Sequence, residues 1–174
     1  MTSRRVPAPS PNRSRSARPG SRRALMAGIL AGVAGLAGCA PTVIVEPAPD
    51  AQNPLCADIM LSLPDEVSGE KERKTSSQAT KAWGDPSVAV LRCGVTPPGP
   101  TTDPCVSVGD VDWISRPSED GDTWQFTSYG RTPAVEVLVN RKAGPGADVL
   151  ASVSPALERM PAEARCVGAE DLEG

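Results

Sequence analysis

Few side chains in this sequence could do chemistry, and their types narrow what that chemistry could be. The 174 residues include no histidine, which excludes Ser-His-Asp and Cys-His catalytic arrangements. The sequence also has no Gly-x-Ser-x-Gly turn and no glycine-rich phosphate loop. The acidic clusters are better explained as solvated turns than as ligands of a hard cation; they are Asp65/Glu66, Asp110/Asp112 and Glu119/Asp120/Asp122. We therefore predict no catalytic residue, no metal site and no cofactor, and a carboxylate-based enzyme is the least favoured alternative.

The most informative thiol is that of Cys39. It follows an uncharged run, residues 24–38, that Arg22-Arg23 precedes. The run is shorter than the roughly 20 residues of a membrane span and matches the apolar region of a signal peptide. Residues 36–39 (Leu-Ala-Gly-Cys) resemble the lipobox of bacterial lipoprotein signals. That resemblance implies a diacylglyceryl group on the Cys39 sulfur and cleavage before Cys39, and the alternative is an ordinary secretory signal with an incidental cysteine.

The sequence divides into an N-terminal export signal and an exported domain. Residues 21–23 (Ser-Arg-Arg) resemble a twin-arginine export signal, and a basic region for general secretion is the alternative. The run Thr42–Val45 could form an edge strand, although a proline-rich segment is typically an extended spacer. The predicted organisation is a signal peptide over 1–38 (disordered basic region 1–23, apolar region 24–38), a Pro-rich tether over 39–54, a globular domain over 55–168 and an acidic tail over 169–174.

Charge separates these parts and restricts the partners. Seven of the 18 basic residues lie in residues 1–38 without any acid, so the rest of the chain has 11 basic residues against 21 acidic ones. Nucleic-acid binding needs clustered Lys and Arg, and we predict no nucleic-acid partner for such an acidic domain. The expected partners are the membrane, through the lipid, and an envelope protein.

Cysteine number predicts two disulfides in the domain. Apart from Cys39, the sequence has Cys56, Cys93, Cys105 and Cys166, an even number in an exported protein. Three pairings are possible, and we favour Cys93–Cys105, which would close a proline-rich loop, together with Cys56–Cys166. A zinc site is disfavoured because the sequence has no Cys-x-x-Cys motif and no histidine.

Hydrophobic periodicity predicts an α+β fold. Its sheet is mostly antiparallel and four- to five-stranded, with an N-terminal and a C-terminal helix and two disulfides. We expect residues 65–73 to be a solvated connection. Helices are predicted over 56–63 and 148–160, with Pro155 kinking or dividing the second, and strands over 87–95, 106–115 (with a bulge or break at 109–110), 123–129 and 134–140.

Five residues are candidates for binding a ligand such as a glycan or a lipid: Trp83, Arg92, Trp113, Trp124 and Arg131. Aromatic side chains could line a pocket, and a guanidinium could hold a carboxylate or a phosphate. Core packing is the alternative for Trp113. For the two arginines the alternative is pairing with a nearby acid.

Several short motifs resemble one family. They are Cys56 with Leu63-Pro64, residues 82–86 (Ala-Trp-Gly-Asp-Pro), 91–95 (Leu-Arg-Cys-Gly-Val), 111–113 (Val-Asp-Trp) and 129–131 (Tyr-Gly-Arg). Together they resemble an actinobacterial envelope family that is described only as a domain of unknown function, DUF3515, over about residues 55–160. The resemblance implies a secreted or membrane-attached protein of high-GC Gram-positive bacteria and implies no activity.

The function expected from the sequence is therefore that of a membrane-anchored envelope lipoprotein on the outer face of the cytoplasmic membrane. Its domain would be a non-catalytic interaction or accessory module. A binding module for a cell-wall or lipid ligand is the alternative.

Overall fold

The computed structural model describes residues 41–119 and 121–167, all within one unit, Ala40–Gly174. The predicted signal peptide, Cys39, Asp120 and the acidic tail lie outside the described residues. The elements are α1 (Pro54–Ser62), β1 (Glu66–Val67), β2 (Glu70–Arg73), β3 (Thr80–Trp83), β4 (Ala89–Val95), β5 (Cys105–Val108), β6 (Val111–Pro117), β7 (Thr123–Ser128), β8 (Ala134–Asn140) and α2 (Gly146–Leu157). The α+β class is confirmed.

Local sequence signals place the two helices close to their predicted positions. Helix α1 begins at Pro54, where the fixed φ of proline suits a first helical position, and the Asn53 side chain caps the first turn. Helix α2 is continuous through Pro155, which lies in its last turn. The prediction of two helices is therefore correct, and α2 does not divide into two.

The sheet is antiparallel throughout and has the strand order β1-β2-β3-β4-β8-β7-β6-β5. It consists of two meanders that meet where β4 pairs with β8. Strand β5 lies at the far edge, so the chain crosses the sheet between β4 and β5. Residues 96–104 make this crossing, and we call them the proline strap.

The prediction of four or five strands is wrong, because the described residues form a sheet of eight strands. The segment predicted over 106–115 is a hairpin of β5 and β6 with its turn at Gly109-Asp110. The unpredicted strands are β1, β2 and β3. Strands β1 and β2 flank a tight turn at Ser68-Gly69, where both φ angles are positive. Val67 is the one buried residue of these two strands, and their other residues are charged. Apolar alternation therefore could not reveal them.

The favoured cysteine pairing is also wrong. The disulfides are Cys56–Cys93 and Cys105–Cys166, with Cα–Cα distances of 5.6 and 6.4 Å. Strand β4, which carries Cys93, is four positions from β5, which carries Cys105. Neighbouring strands are about 4.8 Å apart, so that separation is far beyond the roughly 7 Å Cα–Cα limit of a disulfide.

Helices α1 and α2 cover one face of the sheet, and the apolar core lies between them. Strand alternation directs Leu91, Trp113 and Val137 to this face, where they are fully buried. Helix α2 contributes Val153 and Leu157 from one side of its surface. The opposite face carries the polar residues of the same strands, and the proline strap crosses that face.

Candidate functional site beneath the proline strap

A polar row lies at the centre of the strap-covered face. Arg92 on β4, Glu136 on β8 and Thr127 on β7 are register partners across three neighbouring strands. Arg92 Nε donates to Glu136 Oε1 at 2.8 Å, and Arg92 Nη2 lies 2.6 Å from the same oxygen. Gln125 Nε2 donates to Glu136 Oε2 at 2.6 Å. Both oxygens of the buried Glu136 carboxylate therefore have a donor, as a buried charge requires.

The C-terminal end of the proline strap is attached to the sheet by hydrogen bonds. Arg116 on β6 donates through Nε to Asp103 Oδ2 at 2.8 Å, and Thr101 Oγ1 donates to the same oxygen at 2.6 Å. These hydrogen bonds, with that from Arg116 the stronger, lower the pKa of Asp103 below its ordinary value of 3.8. Asp103 is therefore a carboxylate throughout the neutral range and into acid.

A cavity of about 570 Å³ lies between the strap and this polar row. Its walls come from the strap, from four strands and from Pro49. The strands contribute guanidinium, amide, hydroxyl and carboxylate groups, on Arg92, Arg116, Gln125, Thr127 and Glu136. Arg92 and Arg116 are each paired with a carboxylate, so the cavity suits an uncharged polar group or a peptide segment better than a free ion.

Two of the three candidate tryptophans lie in the core instead. Trp83 and Trp113 are fully buried. The indole Nε1 of Trp83 donates to the Pro64 carbonyl at 3.0 Å, and that of Trp113 donates to Ser154 Oγ at 3.0 Å. Trp113 therefore packs in the core, as the alternative to ligand binding predicted. Neither ring lines the cavity beneath the strap.

Trp124 is half-buried and packs against the edge of the core. Its ring stacks with Phe126 at a centroid distance of 6.3 Å, and Arg141 Cζ lies 5.2 Å from its centroid on the face of the ring. Of the five predicted ligand-binding residues, only Arg92 lines the strap cavity. The structure therefore does not assemble the predicted set into one site.

Arg131 is buried and is used within the fold. Its Nη1 donates to the carbonyls of Leu157 and Met160 at the end of α2, and its Nη2 donates to the Asp110 carbonyl at 2.6 Å. Burial, followed by the charge of Arg165, lowers the pKa of Arg131 from its ordinary value. A cation at a helix C-terminus satisfies carbonyls that have no helical partner, and this is the role the contacts give to Arg131.

The acidic clusters do not form a cation site within the described residues. Asp112 accepts from Ser107 Oγ at 2.6 Å and from the Cys166 backbone N–H at 2.8 Å. Asp112 lies within 4.8 Å of the sulfurs of Cys105 and Cys166. Those sulfurs are joined in a disulfide, so they offer no thiolate to a metal ion.

Two other acids of these clusters lie beside lysines. Asp122 pairs with Lys142 at 3.0 Å, and Asp65 lies 4.0 Å from Lys81. Glu119 is exposed in a turn.

The sequence did not predict that Glu136, Gln125 and the proline strap line one cavity. A signal was present, because Glu136 is the one acid within the valine-rich strand β8. Alternation placed its side chain opposite the apolar face. The partner could not be identified, because Arg92 and Glu136 are 44 positions apart and meet only because β4 pairs with β8.

The comparisons identify the family. The family model described as "Protein of unknown function (DUF3515)" matches residues 24–165, which is most of the chain, and the chain belongs to this family. A search of curated proteins and a search of solved structures each find no match. Among the described residues, no helix combines the length and apolar character that crossing a bilayer requires.

Proposed function

We propose that this protein is a cell-envelope lipoprotein, anchored by a lipid on Cys39, whose domain is a non-catalytic interaction or accessory module. The observation that carries the proposal is the use of the five cysteines. Four of them form two disulfides, so Cys39 belongs to neither. Disulfides persist in oxidising compartments outside the cytoplasm, and Cys39 directly follows the lipobox-like residues 36–38.

The extent of the family match supports the same proposal. It begins at residue 24 and therefore includes the apolar run and Cys39 as well as the folded domain. The proposed location is the outer face of the cytoplasmic membrane of an actinobacterial cell. The non-catalytic role is supported by the polar groups beneath the strap, since Arg92, Gln125 and Glu136 bond to one another.

Acyl labelling tests the anchor. In cells given a labelled fatty acid, the protein should carry the label, and mass spectrometry should find a mature chain beginning at lipid-modified Cys39. Cys39→Ala should abolish the label and release the protein from the membrane fraction. The control Ala40→Ser keeps the thiol and residues 36–39 and should remain labelled. Persistent labelling of Cys39→Ala would overturn the anchor.

Crosslinking in intact membranes tests the module. The lipidated protein should give a reproducible crosslink to an envelope protein, and Cys39→Ala should lose it together with membrane retention. A protein that is crosslinked to nothing in repeated experiments would contradict the interaction role.

A second candidate function is the binding of a cell-wall fragment in the strap cavity, and the volume and polar lining of that cavity favour it. The probe is a mixture of soluble muropeptides, with binding measured by native mass spectrometry. Thr127→Trp places a large ring in the cavity and should abolish binding. Thr123→Trp on the same strand, outside the cavity, should leave binding unchanged. Equal binding by both variants would remove this candidate.

A further inference from the structure

The segment that follows Cys39 is attached to the domain almost from its start. Arg73 Nη2 donates to the Pro41 carbonyl at 2.6 Å. The Val43 N–H donates to the Lys74 carbonyl at 2.9 Å, and the Ser76 N–H donates to the Val43 carbonyl at 3.0 Å. Much of the predicted tether over 39–54 is therefore docked on the domain, through a single parallel bridge beside Thr75 rather than a full edge strand.

The attachment continues toward α1. Val45 exchanges hydrogen bonds with the Ser76 hydroxyl at 2.9 and 3.1 Å. Farther along, Asp50 N–H donates to the Gly94 carbonyl at 2.9 Å. A Cβ on Gly94 would lie 2.4 Å from the Asp50 carbonyl group, and the φ of Gly94 is +93°, so this close approach requires glycine.

These bonds leave few residues between Cys39 and the first attached residue, Pro41. Cys39 is two residues before Pro41 in the sequence, and each residue spans at most about 3.6 Å. Pro41 can therefore lie no farther than roughly 7 Å from Cys39, and a lipid on Cys39 would keep it close to the membrane surface. The domain surface around Pro41 must then lie against the headgroups, and a spacer that lifts the domain away is excluded by this geometry.

An apolar side chain lies at that point. Ile44 is 82% exposed, and the hydrogen bonds of Val43 and Val45 fix the backbone on both sides of it. The neighbouring Lys74 is also exposed. A solitary exposed apolar side chain needs no explanation by itself, but this one lies five residues from the proposed lipid on a backbone that is held in place.

We infer that the surface formed by residues 41–46 and Lys74 lies flat on the lipid bilayer, with the Ile44 side chain inserted at the boundary between headgroups and acyl chains. The inference rests on the proposed lipid at Cys39. The rest of the mature chain is acidic, so the contact does not depend on attraction to anionic lipids, and the lipid with Ile44 supplies the apolar area. The other face of the domain is thereby turned toward the envelope.

The test uses the full lipidated protein in vesicles of phosphatidylcholine that contain a phospholipid with a photoreactive acyl chain. Mass spectrometry should place the crosslinks on residues 41–46, with few on α1. Leu61 on α1 is a matched control because it is 86% exposed. Ile44→Ser should reduce crosslinking of the segment about five-fold, Ile44→Leu should retain it, and Leu61→Ser should leave it unchanged.

The outcomes distinguish this inference from the proposed function. A protein without lipid on Cys39 would overturn the anchor and with it this inference. A lipidated protein whose crosslinks fall mainly on α1, or nowhere on residues 41–46, would overturn only the membrane-facing surface.

Discussion

The two faces of the sheet are built on different principles. The helix-covered face joins valines, leucines and two tryptophans in one apolar core, where contact area rather than individual partners provides the stability. The strap-covered face is polar, and its side chains are fixed by specific pairs such as Arg92–Glu136 and Arg116–Asp103. The difference shows that the first face is stabilised mainly by apolar burial and the second by specific polar pairs.

The two disulfides follow the same division. Cys56–Cys93 is fully buried and joins α1 to β4 within the core. Cys105–Cys166 lies at the edge strand β5 and holds the C-terminal segment, with Cys105 exposed.

The motifs that carry the family resemblance mostly serve the folded core and the two ends of the domain. Trp83 and Trp113 pack in the core, and Arg131 caps α2. Gly94 admits the N-terminal segment, and Gly130 admits the C-terminal one, because a Cβ there would lie 1.9 Å from the Ala164 carbonyl oxygen. Most of these motif residues therefore serve the fold, while Arg92 and Val95 line the strap cavity.

Removal of the buried disulfide should have the largest effect. The loops closed by the two disulfides span 37 and 61 residues, and chain entropy alone predicts a loss of about 4 kcal/mol for either. The double variant Cys56→Ala with Cys93→Ala should lose more than Cys105→Ala with Cys166→Ala, because only the first also leaves a void in the core. Chemical denaturation measures both. Equal losses would show that burial of the sulfurs adds nothing.

A core tryptophan should matter almost as much. Trp113→Ala removes a fully buried ring and leaves Ser154 without its indole partner, so we expect a loss of about 4 kcal/mol in the free energy of unfolding. Trp124→Ala, at a half-buried ring, should lose about half as much. Similar losses at the two positions would contradict the account of the helix-covered core.

The ionic pair on the strap-covered face should have an intermediate effect. Glu136→Met should cost about 2 kcal/mol, since it leaves the Arg92 guanidinium partly buried and unpaired. Arg92→Met should cost a similar amount. The double variant should recover much of the loss, because an apolar pair can replace a buried ion pair. Additive losses in this double-mutant cycle would show that the two residues do not act as a pair.

The smallest effect should be confined to the strap. Because the pKa of Asp103 is lowered in the folded protein, the hydrogen bonds from Arg116 are fully present above pH 3.8 and are lost as the pH falls through the lower folded value. Amide exchange in residues 99–103, corrected for its intrinsic pH dependence, should stay slow from pH 7 to about 4 and accelerate below that. Asp103→Asn should exchange faster throughout. A strap unaffected by this variant would show that Arg116 does not fasten it.

Period-two alternation was sufficient to predict strands β4, β7 and β8, and proline and apolar spacing were sufficient for both helices. Such patterns are local, and they specify which residues share a face of an element. The hairpin of β1 and β2 escaped because its residues are charged on both faces and it lies at the edge of the sheet.

The sequence by itself determined the absence of histidine chemistry, the α+β class, the even set of four domain cysteines and the motifs of the family. The tertiary structure alone decided that Cys93 pairs with Cys56, that Arg92 meets Glu136, that the strap borders a cavity and that residues 41–50 dock on the domain. The physical reason is strand order. Alternation directs a side chain to one face of its own strand, but which strand lies beside it depends on pairing between distant segments, and those pairings are formed only in the folded sheet.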